Sequence, residues 1–202
     1  MPAEHTRRED PRIKKTELRL RRALFENLAA VGTNRLSVAT ITATAGVTRG
    51  TFYQHYADKQ DFLRSVRRDT VLDFFSACVF KRADEVGKAP RLHVRLALDY
   101  LRRPENGIAT LLKYDEQAFL SELSAGMKNM IAHYLDEKGR FGSQTDIQTE
   151  DLVMAATVIN VAIFKEWTLG TRGWQVDYAT KLVVELNKFA PGISNRLAEF
   201  YC

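Results

Sequence analysis

The sequence is poor in the features that mark secreted and disulfide-stapled proteins. Its 202 residues include only 2 cysteines and 5 prolines. Cys78 falls inside a predicted helix and Cys202 is the last residue, so the two form no disulfide framework and we expect free thiols. The N-terminal stretch MPAEHTRRED is too polar for a secretory signal. We therefore predict a cytoplasmic protein.

Long hydrophobic runs are also missing. The longest apolar stretch covers residues 153–164 and contains Thr157 and Asn160. A membrane-spanning helix needs about 20 consecutive apolar residues, so this stretch is too short. We predict no membrane association.

Catalytic and metal-binding patterns are equally scarce. We find no phosphate-binding loop, no Gly-x-Ser-x-Gly, no dinucleotide glycine fingerprint and no His-Glu-x-x-His. Paired ligand spacing is absent from the 4 histidines, which are His5, His55, His93 and His133. We therefore predict no catalytic residues, no metal site, no cofactor and no enzymatic activity.

Positive charge is concentrated near the N-terminus. Residues 1–70 hold 14 Lys and Arg against 8 Asp and Glu, whereas the remaining residues hold 16 against 17. The first third is therefore basic and the rest is nearly neutral. This asymmetry is typical of a DNA-binding domain joined to a domain that does not bind nucleic acid, although a solvated basic face gives the same count.

Helical periodicity is what the sequence does contain, and its clearest pattern is SVATITATAGVTRGTFYQHYADK, residues 37–59. Ser37 is placed to cap a first short helix, and Gly46 can adopt the left-handed conformation of a sharp turn. Thr48 can then cap a second helix. Two short helices joined by a tight turn indicate a helix-turn-helix motif.

The second helix of this motif separates a buried side from an exposed side. Phe52 and Tyr56 lie four residues apart and so share the face that packs inward. The opposite face and its flanks carry a guanidinium, hydroxyls, an amide and an imidazole, from Arg49, Gly50, Thr51, Tyr53, Gln54 and His55. This combination suits a recognition helix in the major groove of DNA.

The run AGVTRGTFYQHYADK resembles the signature of the TetR family of bacterial transcriptional regulators, and the resemblance covers roughly residues 14–75. It implies base contacts from Arg49, Gly50 and Thr51. It also implies a phosphate or thymine-methyl contact from Tyr53, and phosphate contacts from Ser37, His55 and Lys59. We expect Tyr53 and Lys59 to face solvent. Thr48 and Gln54 complete the predicted DNA-binding set.

Two positions depart from the family pattern, and neither lies in the recognition helix. An aromatic residue often follows the glycine that ends the first helix, where this chain has Thr33. The acidic-Ile-Ala triplet in the family's second helix is replaced here by Thr40, Ile41 and Thr42.

The remaining periodicity predicts an all-α protein of two domains. Residues 1–12 are polar and contain two prolines, which favours a flexible N-terminal arm. Residues 13–58 form a three-helix helix-turn-helix DNA-binding domain, and residues 59–202 form a helical ligand-binding and dimerisation domain. We expect a long helix from Lys59 past residue 80, a helix that begins at Pro90 and a kink at Gly126.

The C-terminal helices are the predicted dimer interface. Residues 152–167 are hydrophobic nearly all round, so we expect this helix to be buried on one side by its own chain and on another by a second copy. The interface set, shared with the following helix, is Val158, Ile159, Tyr178, Leu182, Leu186 and Phe189. A purely internal core pair is the alternative.

Large side chains in the C-terminal half form either a ligand pocket or simply a core. The resemblance favours a pocket for a small effector of unknown class, and its candidate lining residues are His93, Tyr100, Tyr114, Phe119, Met127, Asn160, Phe164 and Trp167. We therefore predict a homodimeric, ligand-responsive repressor that binds a palindromic double-stranded operator. The alternatives are an activator of the same family, or a helical small-molecule binding protein with a decayed helix-turn-helix.

Overall fold

The computed structural model describes residues 11–33, 35–80, 91–139 and 148–187, together with residues 197, 200 and 201. The chain forms two compact units that divide between Val66 and Arg67. Residues 59–66, predicted to begin the second domain, group with the first unit instead. Residues 1–10 of the predicted arm and Cys202 lie outside the described residues.

Four helices make up the first unit and the start of the second: α1 (Pro11–Val31), α2 (Val38–Ala45), α3 (Arg49–His55) and α4 (Lys59–Cys78). The predicted arm extends to residue 12, but Pro11 and Arg12 already belong to α1. Proline suits the first position of a helix because its missing N–H would be unpaired there anyway. The core of the first unit combines fully buried side chains from all four helices, Leu20, Leu24, Leu28, Ile41, Phe52 and Phe62.

Helix α4 begins with a reciprocal cap and ends earlier than predicted. The backbone N–H of Asp61 donates to Asp58 Oδ1 at 2.8 Å, and the N–H of Ala57 donates to Asp61 Oδ2 at 3.1 Å. At its other end α4 stops at Cys78, where the chain becomes extended. The prediction that it runs past residue 80 is therefore wrong.

A short antiparallel strand pair follows α4. Strand β1 (Val79–Phe80) pairs with β2 (Arg91–Leu92), and the backbone N–H of Leu92 also donates to Phe200 O at 2.8 Å. Because β-branched and aromatic residues favour extended backbone, Val79 and Phe80 suit this change of conformation. The fold class is otherwise confirmed as all-α, with nine α-helices in the described parts of the chain.

The second unit continues with α5 (Val94–Leu101), a 3₁₀ turn (Pro104–Asn106), α6 (Ile108–Tyr114), α7 (Glu116–Gly139), α8 (Thr149–Leu169) and α9 (Val176–Leu186). Helix α5 begins after the predicted Pro90, because residues 91–92 are held in β2 and His93 caps the helix. His93 Nδ1 accepts a hydrogen bond from the N–H of Leu96 at 3.3 Å. Pro90 itself lies outside the described residues.

Gly126 permits close packing between α7 and the second-unit part of α4. A Cβ atom built at Gly126 would overlap the Phe75 ring and come within 3.1 Å of Val71 Cγ1. Helix α7 continues as one helix through this position, and the kink expected at Gly126 stays a prediction. The function of Gly126 is to remove the side chain at the point where the two helices approach each other.

Helix α8 is the long apolar helix of the second unit. By length and composition it could cross a membrane, so the length argument made from residues 153–164 was too strict. However, 50% of its apolar window is buried inside the protein, as in the core helix of a soluble protein. Phe164 is fully buried, and the Trp167 indole donates to Leu98 O at 2.8 Å. Burial rather than length therefore favours a core helix.

Two polar groups are held in the core of the second unit. Arg67, only 8% exposed, forms a 2.7 Å ion pair with Asp115 at the junction of α6 and α7. Cys78 is a free, buried thiol, as predicted. Burial raises the pKa of Cys78 to about 12, despite the opposing charge of Arg103, so the thiol stays protonated and unreactive.

Candidate nucleic-acid interface

The turn between α2 and α3 has the predicted caps. The Ser37 side chain accepts from the N–H of Thr40, and the Thr40 side chain accepts from the N–H of Ser37, each at 3.1 Å. Gly46 adopts the left-handed conformation, with φ of 62°. The Thr48 hydroxyl accepts from the N–H of Thr51 at 3.0 Å. Both helices therefore begin with satisfied backbone groups, and the turn between them is well defined.

The buried side of α3 is aromatic. Phe52 is fully buried, with its ring centroid 5.5 Å from that of Tyr56 and 5.4 Å from that of Phe62. The ring of Tyr53 meets Phe52 edge-on at 5.4 Å, yet Tyr53 remains 56% exposed. Arg49, Gly50 and Gln54 are exposed as well. Four of the predicted contact residues thus share the solvent side of one short, anchored helix.

Gly50 is not required by the packing of its own domain. A Cβ atom built there would meet only Thr48 Oγ1, at an ordinary distance of 3.6 Å. Glycine inside a helix is less favourable than alanine by roughly 0.5–1 kcal/mol. The absence of a side chain at Gly50 therefore has no packing reason among the described residues, and it leaves the backbone of α3 accessible at this exposed position.

Thr51 and His55, two other predicted contact residues, already have partners inside the protein. Thr51 is half-buried, with its hydroxyl 2.9 Å from that of Thr48. His55 Nδ1 lies 3.4 Å from Glu17 Oε1, and only 12% of the His55 side chain is exposed. His55 therefore joins α3 to α1 and presents little surface to a phosphate.

Lys59 is also half-buried, so the expectation that it faces solvent freely is wrong. Its ammonium donates to Leu36 O at 3.0 Å. Because an ammonium carries three donors, this bond fixes the head group and leaves two N–H groups for a phosphate.

Basic residues of α1 were missing from the predicted contact set. Lys14 and Lys15 are exposed in the first turns of α1, where they add to the positive charge of the first unit. Arg19 instead donates to Gly46 O at 3.0 Å and so supports the turn of the motif. Two adjacent lysines near the start of an amphipathic helix are the sequence pattern from which Lys14 and Lys15 could have been added to the set.

The predicted ligand residues lie in the second unit and are buried or half-buried. Five of them are buried: Phe119, Met127, Asn160, Phe164 and Trp167. The other three, His93, Tyr100 and Tyr114, are half-buried. The rings of Tyr100 and Phe164 both lie near Phe74, at centroid distances of 6.0 and 5.8 Å. A cleft of about 430 Å³ opens beside α9, and of the eight predicted residues it includes Trp167 alone.

The predicted interface residues include several exposed apolar side chains. Val158 is 63% exposed, Tyr178 55% and Leu186 38%, whereas Ile159 and Leu182 are half-buried. Phe189 lies outside the described residues. The prediction missed Met154, which is 58% exposed and precedes Val158 by one helical turn. Because residues four apart share one face of a helix, the spacing between Met154 and Val158 could have predicted that Met154 lies beside Val158.

The capped turn, the aromatic anchor and the exposed polar face are together those of a helix-turn-helix DNA-binding protein. Residues 20–66 match the model for bacterial regulatory proteins of the tetR family. This match agrees with the TetR-family resemblance that the sequence motif implied. A comparison with curated protein sequences gives no match.

Solved structures share the fold over most of the chain. A TetR transcriptional regulator from Streptococcus agalactiae is 21% identical with a TM-score of 0.63, over 88% of this chain and 97% of that one. The dihydroxyacetone kinase operon activator DhaS is 18% identical with a TM-score of 0.57, over 85% and 93%. NalD of Pseudomonas aeruginosa, the secondary repressor of the MexAB-OprM multidrug efflux pump, is 16% identical with a TM-score of 0.54, over 85% and 94%.

We predict that Lys59→Met weakens DNA binding and reduces its dependence on salt. Methionine keeps most of the side-chain length but removes the charge, so one phosphate contact is lost in each half-site. The slope of log affinity against log salt should then fall by about 0.9 per half-site. Fluorescence anisotropy with operator DNA over a salt series measures this slope.

Lys128→Met is the matched control, because it removes the same charge from an exposed position on α7. It should leave the slope unchanged. Circular dichroism must show that the Lys59 variant stays folded, since the bond to Leu36 is also lost. An unchanged slope in a folded Lys59 variant would remove Lys59 from the DNA-binding set.

Proposed function

We propose that this protein is a cytoplasmic, homodimeric transcriptional repressor that binds palindromic operator DNA through α3 and releases it when a small effector binds. The observation that carries the proposal is the composition of α3. Phe52 and Tyr56 are buried, while Arg49, Gly50, Tyr53 and Gln54 are exposed on the opposite side. A helix with this division presents donors and acceptors to base edges from a rigid support.

The rival hypothesis of a decayed helix-turn-helix is disfavoured by the same residues. A motif that no longer met DNA would have no reason to keep Gly50, which weakens α3 and serves no internal contact. The caps supplied by Ser37 and Thr48 are also intact.

The fold alone does not decide between repression and activation. DhaS is an activator and NalD is a repressor, and both are similar in fold to this chain. Repression needs only that the protein occupies the DNA that polymerase would use, whereas activation needs a further surface that contacts polymerase. We therefore favour repression, and an activator remains the alternative.

Exposed apolar residues on α8 and α9 support the dimer. Met154 and Val158 lie one turn apart on α8, and Tyr178, Leu182 and Leu186 recur every four residues on α9. Burial of such side chains between two copies would contribute about 25 cal/mol for each Å² removed from water. A two-fold dimer also places two recognition helices on the two halves of a palindrome.

Two unpaired oxygens inside the second unit support an effector site. Thr157 Oγ1 and Asn160 Oδ1 lie within one turn of α8 and are buried with no hydrogen-bond partner in the described parts of the chain. The amide nitrogen of Asn160 is already used, since it donates to Ala156 O and to Tyr201 Oη, each at 2.6 Å. A buried polar atom left unpaired costs about 1–3 kcal/mol. A ligand that hydrogen-bonds these oxygens would recover that free energy, so we place the effector beside them.

The DNA-binding part of the proposal is tested by selection from a randomised duplex library. The wild-type protein should enrich a palindrome whose half-site centres lie about 34–36 Å apart, or a multiple of that spacing. Binding to the selected site should exceed nonspecific binding by at least about 10³-fold at physiological salt. Enrichment of no sequence, with only weak salt-sensitive binding, would favour the decayed-motif alternative.

We predict that Leu186→Glu splits the dimer. The substitution places an unpaired carboxylate in a dry apolar contact, which is strongly unfavourable. Analytical ultracentrifugation should show monomer for this variant. Ala125→Glu is the matched control, because it adds the same carboxylate at an exposed position on α7, and it should remain dimeric. A folded, fully dimeric Leu186→Glu protein would place the interface elsewhere.

We predict that Thr157→Val stabilises the free protein and weakens its response to effector. Valine has nearly the shape of threonine and removes the unpaired hydroxyl, so the free energy of unfolding should rise by about 1 kcal/mol or more. Thr168→Val is the control on the same helix, because the Thr168 hydroxyl donates to Phe164 O at 2.7 Å and its loss should not stabilise. Urea denaturation compares the two variants. If Thr157→Val did not raise the free energy of unfolding more than Thr168→Val does, the Thr157 hydroxyl would not be an unpaired buried group.

A further inference from the structure

The cleft beside α9 is separate from the DNA-binding residues and shares only Trp167 with the predicted effector set. Its volume is about 430 Å³. The lining comes from the end of α5, the end of α8 and the turn into α9, namely Arg102, Trp167, Gly170, Gly173, Trp174, Gln175 and Val176. Arg102 is the one charged side chain in this lining. The size is within the range of about 300–1,000 Å³ that small-molecule sites occupy.

Arg102 is a preorganised cation with no anionic partner among the described residues. Its guanidinium carbon lies 3.8 Å from the centroid of the Trp167 ring. Trp167 is itself fixed, since it is 4% exposed and its indole N–H donates to Leu98 O. Among the described residues no carboxylate lies within ion-pair distance of Arg102, which is exposed. A guanidinium stacked on an indole keeps its N–H donors available in its own plane, where a carboxylate accepts two of them.

The start of α9 adds further hydrogen-bond donors at the same cleft. Gln175 is the N-cap residue of α9, and its side chain makes no capping hydrogen bond. The first N–H groups of a helix have no partner within the helix and carry a partial positive charge. Asp177 is the acidic residue of that first turn, and it is paired with Arg95 at 2.7 Å. Arg102 and the start of α9 therefore both favour a bound anion.

The rest of the lining is suited to a flat apolar group. Trp174 is half-buried, with its ring centroid 6.0 Å from that of Tyr178. Gly170 and Gly173 have φ angles of 68° and 63°, and a Cβ atom built at either would meet nothing within 4 Å. Two glycines with open space around them leave room for a ligand beside Trp174.

We propose that this cleft binds a small aromatic carboxylate. The carboxylate pairs with the Arg102 guanidinium near the start of α9, and the ring packs against Trp174. The site is distinct from the DNA-binding face and from the effector position beside Thr157 and Asn160. The proposal therefore stands or falls independently of operator binding.

Benzoate is the test ligand, and benzamide is its neutral counterpart of almost the same shape. The chain has 2 tryptophans, and both line the cleft, so the two indole N–H signals in an NMR spectrum of the ¹⁵N-labelled full chain report on this site. Titration with benzoate should shift both signals to saturation. Benzamide should bind at least about tenfold more weakly, because a charge-assisted pair with Arg102 is lost.

Arg102→Gln should reduce benzoate affinity to the level of benzamide. Arg103→Gln is the matched control, because Arg103 stacks on Tyr100 at 5.5 Å and is not part of the cleft lining. It should bind benzoate like the wild type. Trp174→Leu should weaken both ligands together, since it removes the ring contact and leaves the cation.

Three results would overturn the proposal: equal affinity for benzoate and benzamide, unchanged benzoate affinity in Arg102→Gln, or indole shifts that do not saturate. All three variants alter exposed or half-buried positions, and unchanged amide spectra of the remaining chain would show that they are folded. The titrations contain no DNA, so a failure of operator binding cannot imitate any of these results.

Discussion

The burial of Phe52 is the constraint on which the DNA-binding face depends. With Phe52 fully buried against Tyr56 and Phe62, the seven-residue helix α3 cannot rotate about its axis without exposing an aromatic ring. The side chains of Tyr53 and Gln54 must then face solvent. An isolated helix of this length would be unstable in water, so its order comes from packing rather than from helix propensity.

Polar groups in the second unit show a similar dependence on their neighbours. Arg67 is tolerated in the interior because Asp115 lies 2.7 Å away and its charge is compensated. Thr157 Oγ1 and Asn160 Oδ1 have no such compensation. Natural proteins keep few buried polar atoms unpaired, so those that remain mark places where a ligand or a second conformation is expected. Arg67 Nε is also buried without a hydrogen-bond partner, but it is a single donor atom, whereas Thr157 and Asn160 place two unpaired oxygens within one turn of α8. This pair of acceptors is why we propose the effector position beside them.

Local sequence signals were sufficient wherever a short stretch of chain decides the conformation. The caps at Ser37 and Thr48 and the left-handed turn at Gly46 depend on residues within three or four positions, and the structure confirms each of them. The spacing of Phe52 and Tyr56 was enough to orient α3 correctly.

Contacts between distant parts of the chain could not be predicted from these local sequence patterns. Helix α4 ends at Cys78 because residues 79–80 pair with residues 91–92, which no local pattern at Cys78 reveals. Lys59 is drawn toward Leu36 O and His55 toward Glu17, so two residues that the motif assigns to phosphate contacts are partly engaged inside the protein.

The sequence by itself determined the all-α class, the helix-turn-helix and its family, because periodicity, caps and turns act over a few residues. The tertiary structure alone decided that Gly126 lies against the Phe75 ring, that Thr157 lacks a hydrogen-bond partner and that Arg102 stacks on Trp167. Each of these depends on atoms brought together from separate helices, and the free energy of such contacts is not encoded in any one segment of the chain.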